Sequence, residues 1–201
     1  MHWSRSKIFK LLFILPPLCG MWFMGQGAYI HAKALFAQFL LEAAWSKTVH
    51  GEKEVKPWSW ADTWLVARLS VTDLGIDRIV LAGASGASLA FGPGHLFGSA
   101  TPGDEGHTII AGHRDTHFRF LKEMQKGQLI TLHLPSDESL DYEVIDVLVI
   151  DESQGYNITG NEKALLTLMT CYPFDALQPG GPLRYVVISR LKSTKPNVVD
   201  V

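Results

Sequence analysis

A cysteine at the end of an apolar run is the strongest candidate for chemistry in this sequence. Cys171 closes the run TLMTC and is followed by Tyr-Pro-Phe, so it is predicted to lie where a strand passes into a loop. A thiol in that place can meet a substrate, but it needs an electropositive neighbour, because the thiolate is the nucleophile. The alternative is a cysteine that only packs, since free cysteine is among the most buried residue types.

His113 is the best partner for this thiol. It follows the apolar core of the segment HTIIAGHRDTHF and a glycine, again at a predicted strand end. The trio of His107, His113 and His117 also permits a metal interpretation, because two histidines four positions apart can share a helical face. One functional histidine is the favoured hypothesis, since the segment has no HExxH motif and no predicted helix to hold the pair together.

Arg184 opens the last apolar run, RYVVISRL, 13 positions after Cys171. The Pro- and Gly-rich segment FDALQPGGP between them is typical of a connection that returns to an adjacent strand. If the two strands are neighbours, the guanidinium lies beside the thiol, where it can stabilise a carbonyl or a developing oxyanion. The alternative is a strand-end arginine paired with a surface acid.

Short apolar runs separated by Gly, Pro, Asp and Asn must position these side chains. No helix-period segment of 12 or more residues lies between the runs, and their regular spacing predicts an all-β barrel or sandwich. The predicted strands are residues 64–71, 77–82, 107–112, 128–134, 141–150, 164–171 and 184–191.

The amino-terminal part has a different character. Residues 11–30 contain no charge and 14 hydrophobic residues, about the length that crosses a bilayer, and three basic residues precede them. The positive-inside rule then predicts a cytoplasmic tip and transmembrane anchor over 1–30, with the remainder outside the cytoplasm. Cleavage by signal peptidase near the Gly25-x-Gly27 pair is the alternative. A juxtamembrane helix and linker over 31–60, a catalytic domain over 61–192 and a loose tail over 193–201 complete the predicted organisation.

The composition excludes several classes of protein. The chain of 201 residues has 18 Lys and Arg against 20 Asp and Glu, so it lacks the basic surplus of a nucleic-acid-binding protein. Two cysteines are too few for a disulfide scaffold, a four-thiolate zinc site or an iron–sulfur cluster. Because Cys19 lies inside the apolar stretch with no base beside it, Cys171 is the single candidate for a working thiol.

Three separated motifs resemble those of the sortases and occur in the same order. They are IIAGHRDTHF around His113, TLMTC at residues 167–171, and Arg184 downstream. The histidine segment is most similar to the class D type. The runs GASGASLAFGPGH, GHRDTHFRFL and CYPFDALQPGGPLRYVV look like the sortases of Gram-negative marine proteobacteria. The resemblance extends over roughly residues 58–191.

The resemblance implies a closed eight-stranded β-barrel, with the additional strand near residues 88–91, and a cysteine transpeptidase. Cys171 would attack an LPxTG-like sorting signal, His113 would act as general acid and base, and Arg184 would hold the oxyanion. Support from the hydroxyl or backbone of Thr170 is also expected. The implied partners are a secreted protein with a carboxy-terminal sorting signal and an amine acceptor. The implied location is the cytoplasmic membrane, with the barrel in the periplasm of a Gram-negative cell.

Two other functions remain open on the residues alone. One is a catalytically silent barrel that binds peptide tails at the membrane, which labelling of Cys171 by a thiol-reactive peptide would test. The other is a metal-dependent hydrolase that uses His107, His113 and His117, which a chelator would test. The sortase resemblance implies no cofactor, and no calcium-binding acidic loop is predicted.

Overall fold

The computed structural model describes residues 5–154, 164–176 and 180–196. In chain order, its helices and strands are α1 (Arg5–Val49), β1 (Leu65–Val71), β2 (Ile76–Ala82), α2 (Gly86–Leu89), β3 (Gly94–His95), β4 (His107–Ala111), β5 (Leu129–His133), β6 (Glu138–Asp151), β7 (Leu165–Cys171) and β8 (Leu183–Pro196). Short 3-10 turns lie at Thr72–Leu74, Arg119–Glu123 and Glu152–Gln154. The chain divides into two compact units, Met1–Phe39 and Leu40–Val201.

The strands close into a barrel in the order β1-β2-β3-β4-β7-β8-β6-β5. Among the described strands, β2 with β3 and β4 with β7 are parallel, and the other neighbours are antiparallel. The prediction of a closed eight-stranded β-barrel is therefore confirmed. Parallel neighbours end at the same edge of a sheet. The segments that follow β4 and β7 therefore leave the barrel at the same edge.

Strand alternation fills the barrel interior with aliphatic side chains. In β7, Leu166 and Leu168 are fully buried in the main core, and Thr170 lies on the same face with 3% of its surface exposed. Since successive side chains of a strand point to opposite faces, Cys171 lies on the face directed away from this core. β7 therefore buries Leu166, Leu168 and Thr170 inside the barrel and leaves the side chain of Cys171 partly exposed on the other face.

A second apolar cluster involves the carboxy-terminal end of α1. Leu41, Ala44 and Trp45 are spaced for one helical face and pack with Leu65 of β1 and with β2 residues. The helix expected at the start of the segment 31–60 is thus present as part of α1, and its last turns belong to the same compact unit as the barrel.

The predicted transmembrane anchor is not supported. Residues 11–30 are helical as part of α1, but this helix contains Pro16 and Pro17, and glycines and Gln26 interrupt its apolar residues. Among the residues that the structure describes, no helix combines the length and the apolar character needed to cross a membrane. Large apolar side chains between Phe13 and Phe39 are nevertheless exposed.

Two local predictions are wrong. The expected strand near 88–91 is occupied by helix α2, whose first turn is capped because Ser88 N–H donates to Ser85 Oγ at 3.2 Å. The additional strand is β3, only two residues long, between β2 and β4. The tail predicted from 193 onward begins inside β8, where Ser193 pairs with Asp141 of β6. Residues 197–201 lie outside the described part of the chain.

Candidate active site

The ends of β4 and β7 bring His113 and Cys171 to the same edge of the barrel. In this parallel pair Ala111 lies beside Met169, and the N–H of Gly112 donates to the Met169 carbonyl oxygen at 3.1 Å. His113 lies two positions after Ala111, and Cys171 lies two positions after Met169. The register thus brings the two predicted residues to the same edge of the sheet, where β4 and β7 both end. His113 is exposed and Cys171 is half-buried.

Arg184 is the cross-strand partner of Cys171. β7 and β8 are antiparallel neighbours, and Cys171 and Arg184 are Cα partners at the last position of the described ladder. Side chains directly opposite one another in an antiparallel pair project from the same face. The strands are therefore adjacent, as the connection between them predicted, and the sulfur and the guanidinium emerge together.

The guanidinium of Arg184 already has an acidic partner. Its Nη2 lies 2.5 Å from Oε2 of Glu152, just after β6, and its Nη1 donates to the carbonyl oxygens of Gly181 and Leu183 at 2.6 and 3.0 Å. Pairing with a surface acid, the alternative considered for Arg184, is thus present. It coexists with the position beside Cys171, and nothing in the local sequence singled out Glu152.

If the chain cleaves a peptide through Cys171, as the sortase resemblance implies, replacing Glu152 by glutamine is expected to change kcat/KM by less than about fivefold. The carboxylate is 59% exposed, and exposed ion pairs contribute about 1 kcal/mol or less, which corresponds to about a factor of five. Steady-state kinetics check this, with Asp146→Asn, which removes the exposed Lys126 pair, as the matched control. A loss above tenfold in Glu152→Gln alone would show that Glu152 holds Arg184 in its working orientation.

The side chain of Thr170 supports the histidine segment from inside the barrel. Its Oγ1 donates to the carbonyl oxygen of Gly112 at 2.7 Å, and the residue is 3% exposed. This hydroxyl is therefore directed at the chain just before His113 and away from the face that carries Cys171. The expectation that the hydroxyl supports an oxyanion does not agree with this geometry, although the backbone of Thr170 remains adjacent to Cys171.

Arg114, which was not among the predicted site residues, connects the segment after β4 with the segment after β7. Its Nη1 donates to the Pro173 carbonyl oxygen at 2.6 Å and its Nη2 to that of Ala176 at 2.9 Å. Its Nε donates to Oδ1 of Asp115 at 3.0 Å. A cavity of about 470 Å³ borders these contacts and is lined by Arg114, Asp115, Arg119, Lys122, Phe174 and Asp175. The place of Arg114 directly after His113 in the run GHRD was the one signal in the sequence. The carbonyl oxygens that accept its hydrogen bonds lie about 60 positions later, so the sequence could not indicate them.

Three aromatic rings cover the chain that follows Cys171. The rings of Tyr172 and Tyr185 are stacked with centroids 6.0 Å apart, and Phe174 meets Tyr185 edge to face at 5.0 Å. Because Tyr185 belongs to β8, these contacts attach the first residues after Cys171 to the strand that carries Arg184.

The three histidines of the metal hypothesis have separate surroundings. His107 Nε2 lies 2.6 Å from Oγ1 of Thr167. Burial lowers the pKa of the His117 imidazole, a backbone hydrogen bond at Ala90 opposes this, and electrostatic interactions with Arg78 and His113 lower it further. In the described parts of the chain, no three His, Cys, Asp or Glu side chains are grouped to hold a metal ion. The trio therefore does not form the cluster that a metal-dependent hydrolase would need.

Comparison with known proteins agrees with this arrangement. A sortase domain family model matches residues 69–192, a range that includes His113, Cys171 and Arg184. Sortase D of Bacillus subtilis (strain 168) is 32% identical over 123 residues, which span 61% of this chain and 61% of that protein. The aligned part is thus about three fifths of the relative's length.

Solved structures share the fold at lower identity. Sortase A from Corynebacterium diphtheriae is 22% identical with a TM-score of 0.60, covering 82% of this chain and 88% of that one. Sortase A of Listeria monocytogenes is 23% identical with a TM-score of 0.59, covering 68% of this chain and 92% of that one. These likenesses establish the barrel, and the family model covers more than half of the sequence. The chain belongs to the sortase family.

Proposed function

We propose that this chain is a cysteine transpeptidase that cleaves an LPxTG-like sorting signal and transfers the acyl part to an amine. The observation that carries the proposal is the register that pairs Cys171 with Arg184 on β8 and sets His113 at the same edge through the parallel β4–β7 pair. A nucleophile, a general acid–base group and a permanent cation are the parts that acyl transfer through a thioester requires.

In the proposed first half-reaction, the thiol proton of Cys171 passes to His113, and the resulting thiolate attacks the carbonyl carbon of the Thr–Gly peptide bond. The guanidinium of Arg184 donates hydrogen bonds to the oxyanion of the tetrahedral intermediate, where fixed donors are most effective. His113 gives a proton to the departing glycine amine, so the C–N bond breaks and a thioacyl-enzyme remains. In the second half, His113 takes a proton from the incoming amine, which attacks the thioester carbonyl, and the C–S bond breaks to release the Cys171 thiolate.

The proposed substrate is a secreted protein whose carboxy-terminal part carries the sorting signal, and the acceptor is an amine. The match to a protein named sortase D supports a class D-like assignment for this chain. The acceptor chemistry rests only on the transpeptidase proposal, so the test below uses a simple amine.

Incubation of the full chain with a fluorescent LPxTG-containing peptide tests the function. The expected results are cleavage between Thr and Gly, an acyl adduct on the intact protein by mass spectrometry, and a new amide product when hydroxylamine or a glycine peptide is added. Binding of the peptide with no adduct and no cleavage would support the silent binding barrel. Activity that a chelator abolishes would support the metal hydrolase.

We further propose that the catalytic unit works outside the cytoplasm and is held at the membrane surface. The support is the basic residues Arg5, Lys7 and Lys10 ahead of the apolar stretch, and the exposed apolar side chains between Phe13 and Phe39. The full chain is expected in the membrane fraction, with its barrel digested when protease is added to spheroplasts. Recovery in the soluble fraction, or protection of the barrel in intact spheroplasts, would contradict this location.

A further inference from the structure

We infer that Arg114 is a positioning residue that fixes the chain after Cys171 to the chain after His113 and so sets the relation between the two groups. The expected effect on turnover rests on the proposed transpeptidase function. The hydrogen-bonded link between the two segments rests only on the contacts of Arg114.

The guanidinium of Arg114 is buried and its donors are directed at both segments. The residue is 7% exposed. It donates to the carbonyl oxygens of Pro173 and Ala176, and the carboxylate of Asp115 accepts from Nε at 3.0 Å and from Nη2 at 3.4 Å. Burying a charge is costly unless it is paired and hydrogen-bonded, so a guanidinium held this way is fixed in orientation.

The location of these contacts gives them a consequence for the site. Arg114 directly follows His113, whereas Pro173 and Ala176 come two and five positions after Cys171. The segment from 173 to 176 is itself a turn, because the N–H of Ala176 lies 3.4 Å from the Pro173 carbonyl oxygen. One side chain therefore holds both ends of the turn that follows the nucleophile.

The pairing of β4 with β7 does not extend to the segments that Arg114 connects. The ladder ends at Ala111 and Met169. Two further hydrogen bonds involve Gly112: its N–H donates to the Met169 carbonyl oxygen, and its own carbonyl oxygen accepts from the Thr170 hydroxyl. Beyond these positions, Arg114 supplies the described hydrogen bonds between the two segments. Because a displacement of about 1 Å in a reacting group can cost about 100-fold in rate, a loosened link is expected to reduce turnover strongly.

An arginine suits this role better than a lysine. The guanidinium is planar and presents its donors as a fixed fork, so it reaches two carbonyl oxygens and a carboxylate together. An ammonium group is a single point with the same charge, so it cannot keep all three acceptors at these distances. Arg114→Lys therefore separates the effect of geometry from the effect of charge.

The test uses the full chain with Arg114→Met, Arg114→Lys and the control Arg119→Met, an exposed cation that lines the same cavity. For Arg114→Met, kcat on the sorting peptide is expected to fall about 100-fold, while KM changes less than about threefold. Arg114→Lys is expected to lose about tenfold or more despite keeping the charge. Alkylation of Cys171 by iodoacetamide consumes the thiolate but needs no bound peptide and no proton donation to a leaving amine, so its rate is expected to stay within about threefold.

Amide hydrogen exchange supplies a readout that does not need activity. Exchange in a peptide covering residues 172–176 is expected to accelerate in Arg114→Met and to stay unchanged in Arg119→Met. Normal kcat in both Arg114 variants, or unchanged exchange at 172–176, would overturn the inference. If Arg114→Met does not fold, full activity in the folded Arg114→Lys variant would overturn it equally. A wild-type chain that cleaves no sorting peptide would contradict the proposed function, while the exchange measurement would still decide the role of Arg114.

Discussion

Substitution of Cys171 by alanine is expected to abolish thioacyl-enzyme formation and to lower peptide cleavage by roughly four orders of magnitude or more, because the substrate carbonyl loses its nucleophile. The side chain is half-buried at the end of β7 and lies outside the main core, so the barrel is expected to fold normally. Intact mass spectrometry after incubation with the sorting peptide measures the adduct, and circular dichroism confirms the fold.

The second cysteine of the chain provides a matched control. Cys19 lies on α1, in the other compact unit, and is exposed. Cys19→Ala is expected to keep full adduct formation and full turnover. Equal activity of the wild type and Cys171→Ala would remove the basis of the transpeptidase proposal.

Substitution of His113 by glutamine is expected to lower kcat by about 10²- to 10⁴-fold, the usual contribution of a general acid–base group. The side chain is exposed at the edge where β4 ends, so its loss costs little packing. Steady-state kinetics at several pH values measure the loss.

His117 offers the comparison for this variant, since it lies four positions later in the same segment and is electrostatically coupled to His113. His117→Gln is expected to change kcat by less than about threefold, because the proposed mechanism gives it no proton to carry. The reverse result, a large loss in His117→Gln and a small one in His113→Gln, would transfer the acid–base role to His117.

Short apolar runs and the turn-forming residues between them were enough to predict most strands of the barrel. Each of the seven predicted strands overlaps an observed strand, because each is a run of several apolar residues with polar or turn-forming residues on both sides. β3 could not be found this way, since Gly94–His95 is too short to show a period. The end of β8 was missed because Lys192–Pro196 is polar, and its pairing with β6 depends on a partner distant in sequence.

The candidate site was predicted to the extent that its residues lie at the ends of apolar runs. Cys171 and His113 follow such runs and Arg184 opens one, and the register of two strand pairs brings those run ends together. Glu152 and Arg114 carry no comparable pattern. Their contacts arise only when the barrel sets the end of β6 beside β8 and the segment after β4 beside residues 173–176. Such partners depend on tertiary proximity, which a single sequence does not encode locally.

The place of β8 in the barrel has a consequence for when the protein becomes reactive. β8 is the last strand in the chain, yet it lies between β7 and β6 and supplies Arg184. A chain that has emerged only as far as Cys171 has a thiol and a histidine but no strand between the edges of β6 and β7. The guanidinium reaches the thiol in the same event that closes the barrel. In the proposed mechanism, activity therefore requires the closed barrel, and a chain that lacks β8 carries Cys171 without the guanidinium that would stabilise the oxyanion.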